Sequence, residues 1–175
     1  MAELTSQERL QPSLLDRLTD NEPRNRKEAV EARVLSRQQL RAAVLRDLSW
    51  LFNATRPEPE PESRQKEELA RWQGMDEARR SVINFGLPAF AGETLSSLDL
   101  GAIEDGVRQA IATFEPRIDP KTLAVEVQTD ARNHHNTLRL IIRGHMWNQP
   151  VPLELLLAAD VDVETGAAQV RDLRA

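Results

Sequence analysis

The 175-residue chain contains no cysteine. That absence excludes a disulfide framework, thiolate zinc sites, iron–sulfur clusters and cysteine nucleophiles, and it fits a reducing compartment. Glycine is scarce, with seven in the whole chain, and none lies in a GxGxxG or GxxxxGK-S/T pattern, so the backbone cradles of ordinary dinucleotide and P-loop sites are missing. No apolar stretch approaches the ~20 residues that span a bilayer. The opening Met1-Ala2-Glu3-Leu4-Thr5 lacks the basic-then-apolar order of a secretory signal. The expectation is a soluble, cytoplasmic protein with one buried core and tails.

The formal net charge is −5, which argues against binding to a phosphate backbone and hence against a nucleic-acid partner. Through Arg80 the basic and acidic residues balance at 15 each, leaving 8 basic against 13 acidic from Ser81 onward. The acid excess therefore belongs entirely to the C-terminal part. A surface working there suits a basic or neutral partner.

Residues 1–35 alternate short apolar clusters with charge and include Pro12 and Pro23, which reads as an arm. Within it, Ser13 can cap one helical turn whose Leu14, Leu15 and Leu18 form an apolar face, able either to dock on a partner or to pack back. From residue 36 to 175 the pattern predicts a single α+β domain, with N-terminal helices packed on a small C-terminal antiparallel sheet of about three to four strands. Ser36 to Gln39 is a capping box, and Leu40, Val44, Leu48 and Leu51 or Phe52 recur at helical spacing to about Asn53. At 56–63 the prolines alternate with glutamates, predicting an exposed, extended linker. Helical turns follow over Glu67–Trp72 and from a capping Asp76 to Asn84, with Ala78, Val82 and Phe85 inward; Gly86 and Pro88 end them. Asp99 caps a helix marked by Leu100, Ile103, Val107, Ile111 and Phe114, which Pro116 terminates.

Beyond Pro116 the period falls to two. Leu123, Val125 and Val127, then Leu138, Leu140 and Ile142, then Leu153 through Val163 in alternation, predict three half-buried strands. Glu164-Thr165-Gly166 turns the chain, and Ala167–Arg171 returns as a fourth.

Little here can do chemistry. His134, His135 and His145 are the only imidazoles, and ten residues of strand would separate the last two by about 33 Å, far beyond the ~2 Å of a zinc ligand. No serine lies in a GxSxG elbow. Glu104, Asp105, Glu115, Asp119 and Glu126 are candidates for a glycosidase pair, yet they fall on the polar sides of amphipathic elements and none is singled out. No catalytic, metal or cofactor site is expected. One constellation stands apart: Phe114-Glu115-Pro116-Arg117-Ile118, where Pro116 fixes the backbone between two charges. Arg117 can either neutralise the helix end internally or grip a partner's carboxylate or carbonyls, with Glu115 orienting it.

The Ser13–Leu18 arm, Val82–Pro88, Phe114–Ile118 and the Leu155–Val170 hairpin occur in the order typical of TssE, and over nearly its whole length the chain resembles this family of type VI secretion baseplate subunits, similar to the wedge protein of contractile phage tails. The Pro57–Pro61 stretch is not assigned to the family pattern and reads as a local insertion or linker variant. The resemblance implies a structural protein that sits in the baseplate wedge with TssF, TssG and TssK and helps start the contractile sheath of TssB and TssC, cytoplasmic within a membrane-docked machine but not itself inserted. It maps the family's Glu-Pro-Arg motif onto Glu115, Pro116 and Arg117 and favours their partner-contact role. The family's older lysozyme-like label makes a muramidase acting on peptidoglycan the alternative, taken as inherited wording. For the sheath, an unpaired sheet edge is a natural template. The expected template is the Leu153–Val163 strand, through Val161 and Val163, or its Ala167–Arg171 partner, through Val170. Asp160 and Asp162 would repel wrong strands and accept basic ones.

Overall fold

A computed structural model of the chain describes residues 13–19, 23–24, 36–61, 64–89, 99–128, 137–146 and 152–174. The elements run α1 (Leu14–Leu18), α2 (Arg37–Phe52), α3 (Lys66–Gln73), α4 (Asp76–Arg79), a 3₁₀ turn (Val82–Asn84), α5 (Leu100–Phe114), β1 (Ala124–Gln128), β2 (Thr137–Met146), β3 (Leu153–Asp162) and β4 (Ala168–Asp172). This is the α+β class expected, with helices preceding the sheet.

The helix starts follow from capping chemistry. Ser36 accepts the Gln39 N–H and the Gln39 side chain returns to the Ser36 N–H, a complete capping box. Asp99 accepts the Ala102 N–H to open α5. α5 ends because Pro116 disfavours a helical residue before it, and Glu115 swings to φ −123°, ψ 74°.

The strands form a four-stranded antiparallel sheet in the order β1–β2–β3–β4. β2 and β3 pair over their full length, Thr137 opposite Asp162 and Met146 opposite Leu153. Alternation directs Leu138, Leu140, Ile142 and Met146 of β2, and Leu155, Leu157, Ala159 and Val161 of β3, to the helix-covered side, where all are buried. They meet Val44, Leu48, Leu51 and Phe52 of α2 and Ile103, Val107 and Ile111 of α5 in one continuous core. Burial of each larger side chain contributes about 1.5–3 kcal/mol, so the α2–α5–sheet sandwich is the rigid platform on which every other feature rests.

The other sheet face carries no helix among the described residues. Its ion pairs run across the strands: Arg139 and Arg171 both reach Asp160, Arg143 reaches Glu126, and Arg174 reaches Glu154. Ile141 and Ala158, opposite one another on this face, are buried although they point away from the main core.

Three expectations need correction. The 56–63 segment is not an exposed spacer where it is described: Glu58 is 8% exposed and Pro59 is buried. A buried hydrogen-bonded cluster, described below, holds it down; Glu62 and Ser63 lie outside the described residues. The Asp76–Asn84 piece is a short helix followed by a 3₁₀ turn, and Val82 points outward at 82% exposure. Finally, β3 is no edge, because β2 and β4 pair on its two sides. Val161 and Val163 are core residues at 1% exposure and cannot face a partner.

Candidate functional site

The Glu115-Pro116-Arg117 turn sits at the C-terminal end of α5 against α2. Pro116 faces solvent while Glu115 is 2% exposed, and the kinked backbone folds Arg117 back over it. Arg117 Nε donates to Glu115 Oε1 at 2.6 Å and Nη2 to Oε2 at 2.5 Å, a two-pronged guanidinium–carboxylate pair. The Arg117 N–H adds a third bond to Oε1 at 3.2 Å. Nη2 also reaches Asp47 Oδ2 of α2 at 2.5 Å.

From Asp47 the alternation of charge continues outward. Arg46 Nε donates to Asp47 Oδ1 at 2.8 Å, and Arg46 Nη1 to Asp16 Oδ1 of α1 at 2.7 Å. Asp16 closes the series by accepting from the Ser13 hydroxyl at 2.6 Å, beside the capping box in which Ser13 Oγ accepts the Asp16 N–H and Asp16 Oδ2 the Ser13 N–H. Five charges, Glu115, Arg117, Asp47, Arg46 and Asp16, thus form a ladder from α5 across α2 to α1. Arg46 also lies 5.2 Å from the centre of the Trp50 ring, a cation–π contact.

The electrostatics follow from the neighbours. Burial opposes the Arg117 charge, but Glu115 and Asp47 outweigh it and raise the pKa well above its ordinary value. Burial also disfavours the Asp16 carboxylate, yet the Ser13 hydroxyl and Arg46 hold its pKa below the ordinary value. Arg117 Nη1 is shielded from solvent and has no acceptor among the described residues.

The ladder anchors α1 by its polar side, so its leucines are left outward: Leu14 is 72% exposed, Leu18 74% and Leu15 42%. Leu15 borders a cleft of about 230 Å³ whose walls include Trp50, Leu51, Phe85 and Phe114, with Glu115 at its edge. Phe85 and Phe114 stand edge to face, centroids 5.3 Å apart, and form one wall. Glu115, Arg117, Leu15 and the cleft are therefore one locality. Val170 lies elsewhere, half-buried on edge strand β4, and Val161 and Val163 belong to the core.

The acidic residues of β3 are engaged internally. Hydrogen bonding from Arg139 first, with help from Arg171, keeps the Asp160 pKa low against burial. Asp162 accepts the Glu164 and Thr165 N–H groups and so shapes the hairpin turn. Neither is a free acid awaiting a basic strand.

Two sets of residues escaped the sequence reading. Asp47 and Arg46 lie on the polar flank of α2 and only their long-range partners distinguish them. The second set is Glu58, Asn84 and Arg79. Asn84 Nδ2 donates to Glu58 Oε2 at 2.9 Å, Asn84 Oδ1 accepts the Glu58 N–H at 3.1 Å, and Arg79 Nε donates to Glu58 Oε1 at 2.8 Å. An asparagine in an otherwise apolar segment, Val82-Ile83-Asn84-Phe85, was its one available signal.

Among the described residues no cluster of histidine or carboxylate side chains has the arrangement of a metal site, and His134 and His135 lie outside them. None of the helices described is long and apolar enough to cross a membrane. The family model described as baseplate wedge protein gp25 matches residues 38–151. No curated protein matches the chain.

Proposed function

Because the chain belongs to the baseplate wedge protein gp25 family, we propose that this structural protein serves in the baseplate of a type VI secretion system, as a TssE subunit. In this reading it sits in the wedge with TssF, TssG and TssK and helps initiate the TssB–TssC sheath by offering a sheet edge. The observation that carries the docking part is the charge ladder. It ties the exposed leucine face of α1 to the Glu115–Arg117 turn, so a partner gripping Leu14 and Leu18 meets a surface of fixed orientation beside the Leu15 cleft. Rigid, pre-ordered contacts cost less entropy on binding than a free arm would.

Arg117 acts in this scheme by holding the turn rather than by reaching out. For sheath contact, the candidate edge is β4, through Val170. The family is a structural one, which supports assembly over hydrolysis.

The test is capture of separately purified TssF, TssG, TssK and TssB–TssC by the full chain. The reading expects at least one wedge subunit and the sheath pair to be retained, and expects Leu14→Asp combined with Leu18→Asp to abolish wedge capture while the melting temperature holds. Retention of neither class of subunit would overturn it.

A further inference from the structure

In an antiparallel edge strand, alternate residues point their N–H and C=O away from the sheet, and those groups are what an added strand must find unoccupied. Just outside β4 at either end, Ala167 O accepts from Asp162 N–H at 2.9 Å and Leu173 N–H donates to Leu156 O at 2.9 Å, so the residues at odd positions face β3. By alternation Ala168, Val170 and Asp172 face outward. Ala168 is already satisfied. Asn53, the residue ending α2, accepts the Ala168 N–H through Oδ1 at 3.0 Å and donates to Ala168 O through Nδ2 at 2.9 Å. The same Nδ2 is pinned by Ser49 O at 2.8 Å. The side-chain amide thus mimics one residue of a fifth strand.

The opposite edge carries a different device. Val127 N–H of β1 points outward and donates to Glu104 Oε1 of α5 at 2.8 Å. A carboxylate placed there removes a donor and repels the carbonyl oxygens of any arriving strand. Val170 N–H and C=O have no such occupant among the described residues.

We propose that Asn53 and Glu104 select the edge and the register at which an added strand pairs with this sheet, confining it to Val170–Asp172 of β4. The proposal rests on the sheath-template reading above and names the positioning residues of that contact. The occupant is an extended segment of a sheath subunit with alternating character. Its residue beside half-buried Val170 is apolar, because Val170 packs on the edge of the core, and its residues beside Gln169 and Arg171 are polar, because these are exposed on the bare face.

Amide hydrogen exchange on the full chain, alone and with purified TssB–TssC, tests this. Alone, the Ala168 and Val127 amides should exchange at least ~10-fold more slowly than Val170, a factor of 10 corresponding to one protecting bond of about 1.4 kcal/mol. Asn53→Ala should release Ala168 and Glu104→Ala should release Val127. With sheath subunits bound, the unaltered chain should gain protection at Val170 and Asp172 and none at Val125. Asn53→Ala should extend that protection to Ala168, and Glu104→Ala should add protection at Val125 and Val127. If Asn53→Ala fails to fold, Asn53→Ser, too short to bridge to Ala168, replaces it. Ala168 exchanging as fast as Val170 in the free chain, protection of β1 in the unaltered complex, or variants that keep the original pattern would each overturn the proposal alone. Sheath subunits that protect neither edge, or fail to bind, overturn the template reading and this proposal with it.

Discussion

Glu115 and Glu58 are both carboxylates that the fold takes out of water, at 2% and 8% exposure, and each is held by an arginine. They differ in where the chain of contacts goes next. Around Glu58 it closes: Asn84 bonds the carboxylate and the Glu58 N–H together and reaches back to Arg79 O at 3.2 Å. Around Glu115 it stays open, running through Arg117 and Asp47 to the surface helix α1. A closed cluster can only stabilise its own loop. An open one ties the position of the core to an element on the surface.

That contrast can be broken by substitution. The largest effect is expected for Glu115→Ala, which leaves the Arg117 guanidinium shielded with half its partners: a loss of about 3–5 kcal/mol, read as a fall in denaturant midpoint, together with weakened subunit capture. Asn84→Ala strands Glu58 without its amide donor and should cost about 1–3 kcal/mol. Unlike Glu115→Ala, it should leave capture intact once the samples are compared at equal folded fraction. Asp16→Ala removes the last rung. At this outer end of the ladder, where Arg46 keeps a third of its side chain in solvent, the stability cost is about 1 kcal/mol, but α1 loses its tether, and protease cleavage near Leu18 should accelerate. Capture that falls with Asp16→Ala as much as with Glu115→Ala marks the ladder as the transmitting element. Capture that is indifferent to Asp16 reduces the open cluster to another closed one.

The smallest effect is a pH dependence. Asp16, Asp160 and Asp172 all have lowered values in the folded chain: Asp16 through Ser13 and Arg46 against burial, Asp160 chiefly through Arg139, Asp172 through Arg41 against burial. A carboxylate depressed on folding contributes stability that is full above its unfolded value of about 4 and disappears as pH falls through the lowered value. Melting temperature should therefore be flat from neutrality to about pH 5 and decline below about pH 4. Asp160→Asn should flatten part of that decline, and salt should reduce it, since the Arg139 and Arg171 side chains are about half exposed.

The parts of this molecule legible in its sequence are those governed by local rules. Capping at Ser13, Ser36 and Asp99, the helix stop before Pro116 and the two-residue period of four strands all depend on neighbours a few positions away. The Glu-Pro-Arg turn was visible for the same reason, as its pair spans two positions. What stayed hidden depended on contacts distant in sequence. The Pro-Glu alternation at 57–61 looks solvated until Asn84 and Arg79 arrive to satisfy Glu58. Alternating strands cannot announce which of them lies at an edge, so Val161 looked as available as Val170. The two edge occupants were invisible too, since Asn53 reads as a helix end and Glu104 as one more solvated acid.

Gly86 adopts φ 134°, and a Cβ there would lie 2.6 Å from Ala54 O, so no other residue fits where the two chain segments cross. At that crossing Leu87 N–H donates to Ala54 O at 2.8 Å and Arg56 N–H to Leu87 O at 2.9 Å. Everything between Arg56 and Leu87 is thereby an excursion stitched shut at its base, with α3 and α4 hung outside the α2–α5 platform. A segment closed in this way can change internally while the ends of the platform stay joined at Ala54 and Leu87. The proline- and glutamate-rich run lies inside it, so Glu58 and its partners Asn84 and Arg79 all fall within one closed segment.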